Sequence, residues 1–266
     1  MKRIIQHSAW LLIFMALSCS STKSISSLKS QVQHQIDGLP GEWGQPIRFS
    51  DNDTGIQYAI ENDTDHLYLI YRITDQQTIM KVLSAGAKLW LDPSGKGDKK
   101  MTIDFPLKKE MGRAPMVEHE KNRLIMMEDL LLQKNEAVLT GFLNGPSGKK
   151  ALDSIGDFRF KVLINNDESL VYELAIPLNS LYAASANRNM PFDLGLEING
   201  MEMPQRKGGS GGSGGRGPGG GRPPGGGGMG GGMHGGGGHG GPMPGGHSFE
   251  SMTKAVKLQT KVLLSK

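Results

Sequence analysis

Ile56-Gln57-Tyr58-Ala59-Ile60, then Asn62-Asp63-Thr64-Asp65, then Leu67-Tyr68-Leu69-Ile70-Tyr71 is the stretch that decides the fold. Large apolar side chains at 56, 58 and 60 alternate along the chain, the next segment carries turn chemistry, and 67, 69 and 71 resume the alternation. A period of two on both sides of a turn is the signature of a β-hairpin with one buried face. The same pattern recurs outward from it. Ala87 to Leu91 runs into the turn Asp92-Pro93-Ser94-Gly95, and Met101 to Phe105 follows. Ala137 to Leu143, Phe158 to Ile164, Leu170 to Ile176 and Phe192 to Ile198 read as further strands, with a turn at Asn165-Asn166-Asp167. Two helices interrupt them. Asp75 is placed to cap a helix over 76–85 that ends at Gly86 and turns Ile79, Met80, Val82 and Leu83 inward; residues 115–133 are also compatible with a helix. Many short strands and one or two short helices predict a mainly β fold, a two-sheet antiparallel, jelly-roll-like β-sandwich.

Between Gln205 and His247 lie 43 residues, of which 25 are glycine, with no acidic and no aromatic side chain. Such a segment buries too little apolar surface to offset its backbone entropy, so a long disordered loop is expected over 205–247. Beyond it, Val256, Leu258, Thr260 and Val262 alternate with Lys257, Gln259 and Lys261. A strand after such an excursion returns to the sheet the chain left, so the sandwich is expected over 34–204 plus 248–266.

The chain has one cysteine, Cys19, at the end of Ala16-Leu17-Ser18-Cys19. Lys2 and Arg3 precede an apolar stretch from Ala9 to Leu17, too short to span a bilayer but suited to a signal core. Small residues before the cysteine resemble the lipobox of bacterial lipoproteins, with the looseness met in those of Bacteroidota. A signal peptide over 1–18 and lipid attachment at Cys19 are therefore expected. Residues 19–33, rich in Ser, Lys and Gln, read as a flexible tether. No acidic residue follows the cysteine directly, which points to an outer-membrane lipoprotein of the cell envelope on the periplasmic face. The formal net charge is +4, but the signal carries +2 and the glycine segment +4, which leaves the rest of the chain at −2. Basicity confined to those parts gives no reason to expect nucleic acid as a partner.

Ile36-Asp37-Gly38 with Glu42-Trp43, Asn62-Asp63 before Leu67-Tyr68, Leu89-Trp90-Leu91-Asp92-Pro93, and Tyr172-Glu173-Leu174-Ala175-Ile176-Pro177-Leu178 occur in this order. Together they resemble the family 9 carbohydrate-binding module and its DOMON-like relatives. The resemblance implies a sandwich of two antiparallel sheets and sugar binding between aromatic rings, often near calcium. The chain departs from the family pattern at Ala85, Ala87 and Lys88, where an acidic residue is common on the strand leading to Asp92.

Trp90 is the candidate platform for a sugar ring, because it shares a strand face with Lys88 and Asp92 while Ala87, Leu89 and Leu91 fill the other. Trp43 reads as a core plug, and Tyr172 and Glu173 as sheet-edge structure. Asp51, Asn52 and Asp53, or Asp92 with Asp98, are candidate calcium ligands. His34, His66 and His119 stand in polar surroundings and are expected on the surface. In the glycine segment Met229, Met233, His234, His239, Met243 and His247 combine thioethers with imidazoles, donors that suit copper or nickel. No catalytic spacing is present: there is no His-Glu-x-x-His, no Walker loop and no nucleotide fingerprint. The expectation is a non-catalytic envelope lipoprotein binding a glycan or other small ligand. The alternatives are copper or nickel capture by the glycine segment, or a structural part in outer-membrane assembly.

Overall fold

The computed structural model describes residues 24–108, 127, 130, 131, 134–183, 186, 188–202 and 246–266. The hairpin that decides the fold is formed as expected, by β4 (Gln57–Asn62) and β5 (His66–Ile73), with Tyr58 opposite Tyr71 and Ile60 opposite Leu69. The described residues begin with β1 (Ser24–Ser26), β2 (Leu28–Lys29) and β3 (Phe49–Ser50). After the hairpin come β6 (Ala87–Asp92), β7 (Met101–Asp104), β8 (Glu136–Thr140), β9 (Gly148–Ala151) and β10 (Arg159–Ile164). The last three strands are β11 (Leu170–Pro177), β12 (Phe192–Ile198) and β13 (Val256–Leu263).

They form two sheets, one in the order β1-β13-β12-β6-β7-β8-β9 and the other β10-β11-β5-β4-β2, with β3 also on β4. Pairing is antiparallel except for β1 on β13 and β2 on β4, which are parallel. The core lies between the sheets. Leu67, Leu69, Tyr71 and Ile73 of β5 meet Leu89, Leu91, Leu194 and Leu196 there, as the alternation requires. Tyr58, Tyr71 and Tyr172 sit side by side across the inner face of the second sheet. Strand β13 lies between β1 and β12, so the chain does return to the sheet after the glycine segment.

The expected first helix is α1 (Gln76–Ala85), capped by the Asp75 carboxylate, which accepts from the Thr78 amide (2.8 Å) and hydroxyl (2.7 Å). It stops at Gly86, whose φ of +80° is left-handed and whose missing Cβ would meet the Pro106 carbonyl at 2.6 Å. Two more helices follow, α2 (Leu178–Leu181) and α3 (Gly246–Thr253). The candidate helix over 115–133 lies mostly outside the described residues, although 127, 130 and 131 are helical. The signal, Cys19 and all but the end of the 205–247 loop also lie outside them.

Two expectations need correction. The tether over 19–33 does not reach residue 33: β1 and β2 belong to the sheets, Ile25 enters the core, and Ser24 is already part of the sandwich. Strands of three and two residues are too short for periodicity to show, and what holds them is tertiary. Strand β11, read as an edge, lies between β10 and β5 and is buried on both faces. Its outer face is covered by the segment that carries Ile36, Trp43 and Ile47, which packs on Tyr68, Ile70, Val171 and Ala175 as a second apolar cluster.

Candidate functional site

Strand β6 alternates as expected, but its outer face does not present Trp90 to solvent. Trp90 is 1% exposed. It stands opposite Gly195 of β12, and a Cβ on that glycine would fall 2.3 Å from the indole, so the ring lies flat where a side chain is missing. Lys99 covers it, with Nζ 4.9 Å from the ring centroid, and pairs with Glu197 beside it. Lys88 pairs with Asp104 at 3.2 Å. The expectation of an exposed sugar platform at Trp90 is thereby corrected.

Asp92 is 2% exposed and is a turn organiser. One oxygen accepts from the Ser94 amide (2.9 Å) and hydroxyl (2.6 Å), the other from the amides of Lys96 (2.9 Å) and Asp98 (2.8 Å). Burial alone would raise its pKa, yet these bonds hold it below the ordinary carboxylate value. Asp98 pairs with Lys100, and Asp51 accepts from the amide and hydroxyl of Thr54. Calcium takes six to eight oxygens; the carboxylates of Asp92, Asp98 and Asp51 are turned to their own backbone or to a lysine. Among the described residues no three His, Cys, Asp or Glu side chains converge as metal ligands. Of the copper and nickel candidates, Met229, Met233, His234, His239 and Met243 lie outside the described residues, and His247 falls in α3.

His34 is a second correction. Expected on the surface, it is 2% exposed, with Nδ1 2.9 Å from Glu42 and Nε2 3.0 Å from Glu61. Its ring stacks on Trp43 with centroids 4.2 Å apart. Burial would lower its pKa, but hydrogen bonds and charge from Glu61 and Glu42 outweigh that and raise it. Trp43 is buried as a plug, and its indole donates to Glu173. The polar sequence around His34 hid this, because its partners are 8 and 27 residues away.

The described surface offers a cleft at the end of the sandwich where β4 turns into β5. Leu178 and Leu264, both buried, form its floor; Asp63, Thr64, Arg188, Asn189, Ser265, Lys29 and Lys266 stand around it, and its volume is about 350 Å³. Asn62 underlies it. Its side chain accepts from the Ser27 hydroxyl (2.5 Å) and the Ser265 amide (2.9 Å) and donates to the carbonyls of Asp63 and Ser265 (3.1 Å each). The Asp63 carboxylate accepts from the amides of Asp65 (2.7 Å) and His66 (2.6 Å) and from the Tyr68 hydroxyl (2.7 Å). Burial pushes its pKa up, but these bonds prevail and lower it. A smaller cleft of about 290 Å³ shares Thr64 and Arg188 and is lined by Asp65, His66 and Asp157. Sequence reasoning took Asn62 to Asp65 for a turn, which is correct, and missed that the turn forms the wall of a cleft with residues 29, 188 and 264–266.

No family model matches the sequence, and no curated protein matches it. Among solved structures, the chain is similar to a family 9 carbohydrate-binding module from Caldicellulosiruptor kristjanssonii in complex with glucose: 10% identity, TM-score 0.34, covering 66% of this chain and 78% of that one. The same is true of such a module from that organism in complex with cellotriose, at 11% identity and TM-score 0.32, covering 66% and 76%.

Proposed function

We propose that the chain is a non-catalytic envelope lipoprotein, anchored through Cys19, whose sandwich binds a glycan or other small ligand in the cleft above Leu178 and Leu264. The observation that carries this reading is the cleft's composition, an aliphatic floor under a charged and polar rim. A sugar has the matching character: C–H faces that rest on apolar surface and hydroxyls that need polar groups. The volume falls at the small end of ligand sites, suited to one or two sugar units. Calorimetric titration of the mature chain with glucose and with cellotriose tests it. Heat released by the native protein and abolished by Thr64→Trp, which fills the cleft from an exposed position, supports the reading; silence, or heat that survives the substitution, refutes it.

The anchoring part is tested separately, by labelling with radioactive palmitate. Label and membrane retention lost in Cys19→Ala support it, and unchanged retention refutes it.

A second reading, copper or nickel capture by the Gly/Met/His segment, is favoured by the side chains of that segment and by where it joins the fold. The strands before and after it, β12 and β13, pair with each other inside one sheet. Any site must order glycine, so uptake is expected to be weak and to fail as imidazoles protonate below about pH 6. Equal heats from the native chain and from a variant with His234, His239 and His247 changed to Gln would remove it.

A further inference from the structure

We infer that the ligand of the end cleft is a saccharide carrying an anionic group, held by Lys29 and Arg188; this rests on the glycan reading above and specifies its chemistry. The polar groups of the cleft differ in how much hydrogen-bonding capacity they keep. Asn62 is fully engaged, with both lone-pair directions and both amide hydrogens used inside the protein. The Asp63 carboxylate already accepts three bonds, and the Thr64 hydroxyl donates to Asp65 at 3.1 Å. Asn62, Asp63 and Thr64 thus have little left for a neutral sugar's hydroxyls.

The cations differ. Among the described residues neither Lys29 nor Arg188 takes part in an ion pair of 4 Å or less. Arg188 makes one long hydrogen bond, from Nη1 to the Thr64 carbonyl at 3.4 Å, and its guanidinium lies 6.0 Å from the Tyr182 ring. That leaves most of its five donors for a ligand. A guanidinium fork recognises a carboxylate through two parallel bonds, and Lys29 adds a second positive charge on the same cleft. Asp63, the carboxylate beside them, has its charge spread over three donors in the turn and the start of β5. The aliphatic floor of Leu178 and Leu264 then receives the ring face, which a bare anion lacks.

The probes are D-glucuronate, D-glucose and acetate, titrated into the isotopically labelled mature chain at low salt and followed by NMR at the amides of residues 62–66, 188–189 and 264–266. Glucuronate is expected to bind at least tenfold more tightly than glucose or acetate. Arg188→Gln and Lys29→Gln should each remove most of that advantage while leaving the melting temperature unchanged, since a charged hydrogen bond is worth roughly this much. Both side chains are at the surface, so folding is not at issue. Glucose binding as tightly as glucuronate, or a glucuronate affinity indifferent to Arg188→Gln, overturns the anionic specificity and leaves the glycan reading standing. Acetate matching glucuronate also overturns it. No shift with any of the three overturns the glycan reading as well.

Discussion

Trp43 donates its indole N–H to the carboxylate of Glu173 across 2.7 Å, and the other Glu173 oxygen accepts from the Gly38 amide at the same distance. These two bonds clamp the covering segment onto the outer face of the second sheet, next to His34 between Glu42 and Glu61. Glu173 is fully buried, and burial pushes its pKa up to about 7 against the pull of both donors. A carboxyl raised in the folded state contributes stability that is present below its unfolded value near 4.5 and is lost as pH rises through about 7. His34, also raised, contributes stability present below 6.5 that is lost as pH climbs through its higher folded value. Both act in one direction, so the domain is expected to melt at a higher temperature at pH 5.5 than at pH 8.5, with the difference reduced in His34→Gln. Melting curves across that range check it; a flat or inverted profile contradicts it.

Replacing Glu173 itself separates geometry from charge. Gln offers one acceptor where two donors converge, so either Trp43 or Gly38 loses its partner. A cost of about 1–3 kcal/mol is expected by denaturant titration, because a buried donor is left unsatisfied. A neutral outcome would mean that water reaches the site.

Gly195→Ala should disturb Trp90 and little else. The new methyl would lie 2.3 Å from the indole, so the ring must lift off the sheet and take Lys99 with it. Overpacking of this kind costs about 1–3 kcal/mol. Tryptophan emission in Gly195→Ala is expected to shift to the red, with Trp43 as the internal reference.

A chain that starts at Ser24 should be as stable as the whole mature protein, whereas one that starts at His34 should lose both β1 and β2. In the latter Asn62 also loses the Ser27 hydroxyl, one of the bonds that join the two sheets. Asn62→Ala is expected to cost about 2–3 kcal/mol by the same loss of buried partners. Equal stability of the two truncations would return residues 24–33 to the role of a tether.

Exchanging the glycine segment for a short Gly-Ser link should leave the melting temperature nearly unchanged, because each halving of a loop changes closure entropy by only about 0.6 kcal/mol. Ending the chain at Pro204 removes β13 from between β1 and β12 and should unfold the domain. A truncated chain that melts like the whole one would contradict this.

The strands were legible wherever side chains alternate over five or more residues. Ile56 to Tyr71, Ala87 to Leu91 and Val256 to Val262 each lie within a residue or so of the structural elements, and Asp75 and Gly86 bracket α1. Strands β1, β2 and β3 were not legible, because two or three residues carry no period, and β9 was not, because Gly148 to Ala151 is exposed throughout and shows no apolar alternation. The site was less readable than the fold. Whether Trp90 is exposed depends on Gly195, more than a hundred residues away, and on a lysine that pattern alone assigns to solvent. His34 and Glu173 acquire their character from partners that only the tertiary structure supplies. The cleft joins side chains from residue 29 to residue 266, and no local spacing encodes that.

The entry of β1 into the sheet at Ser24 sets a reach. With lipid on Cys19 as proposed, five peptide units separate the anchor from the first paired residue, at most about 18 Å when fully extended. The domain then has no stalk. Anchored in that way, it would ride at the bilayer surface with the β1 edge close to the headgroups, and a saccharide entering the end cleft would be one found within a few nanometres of that membrane.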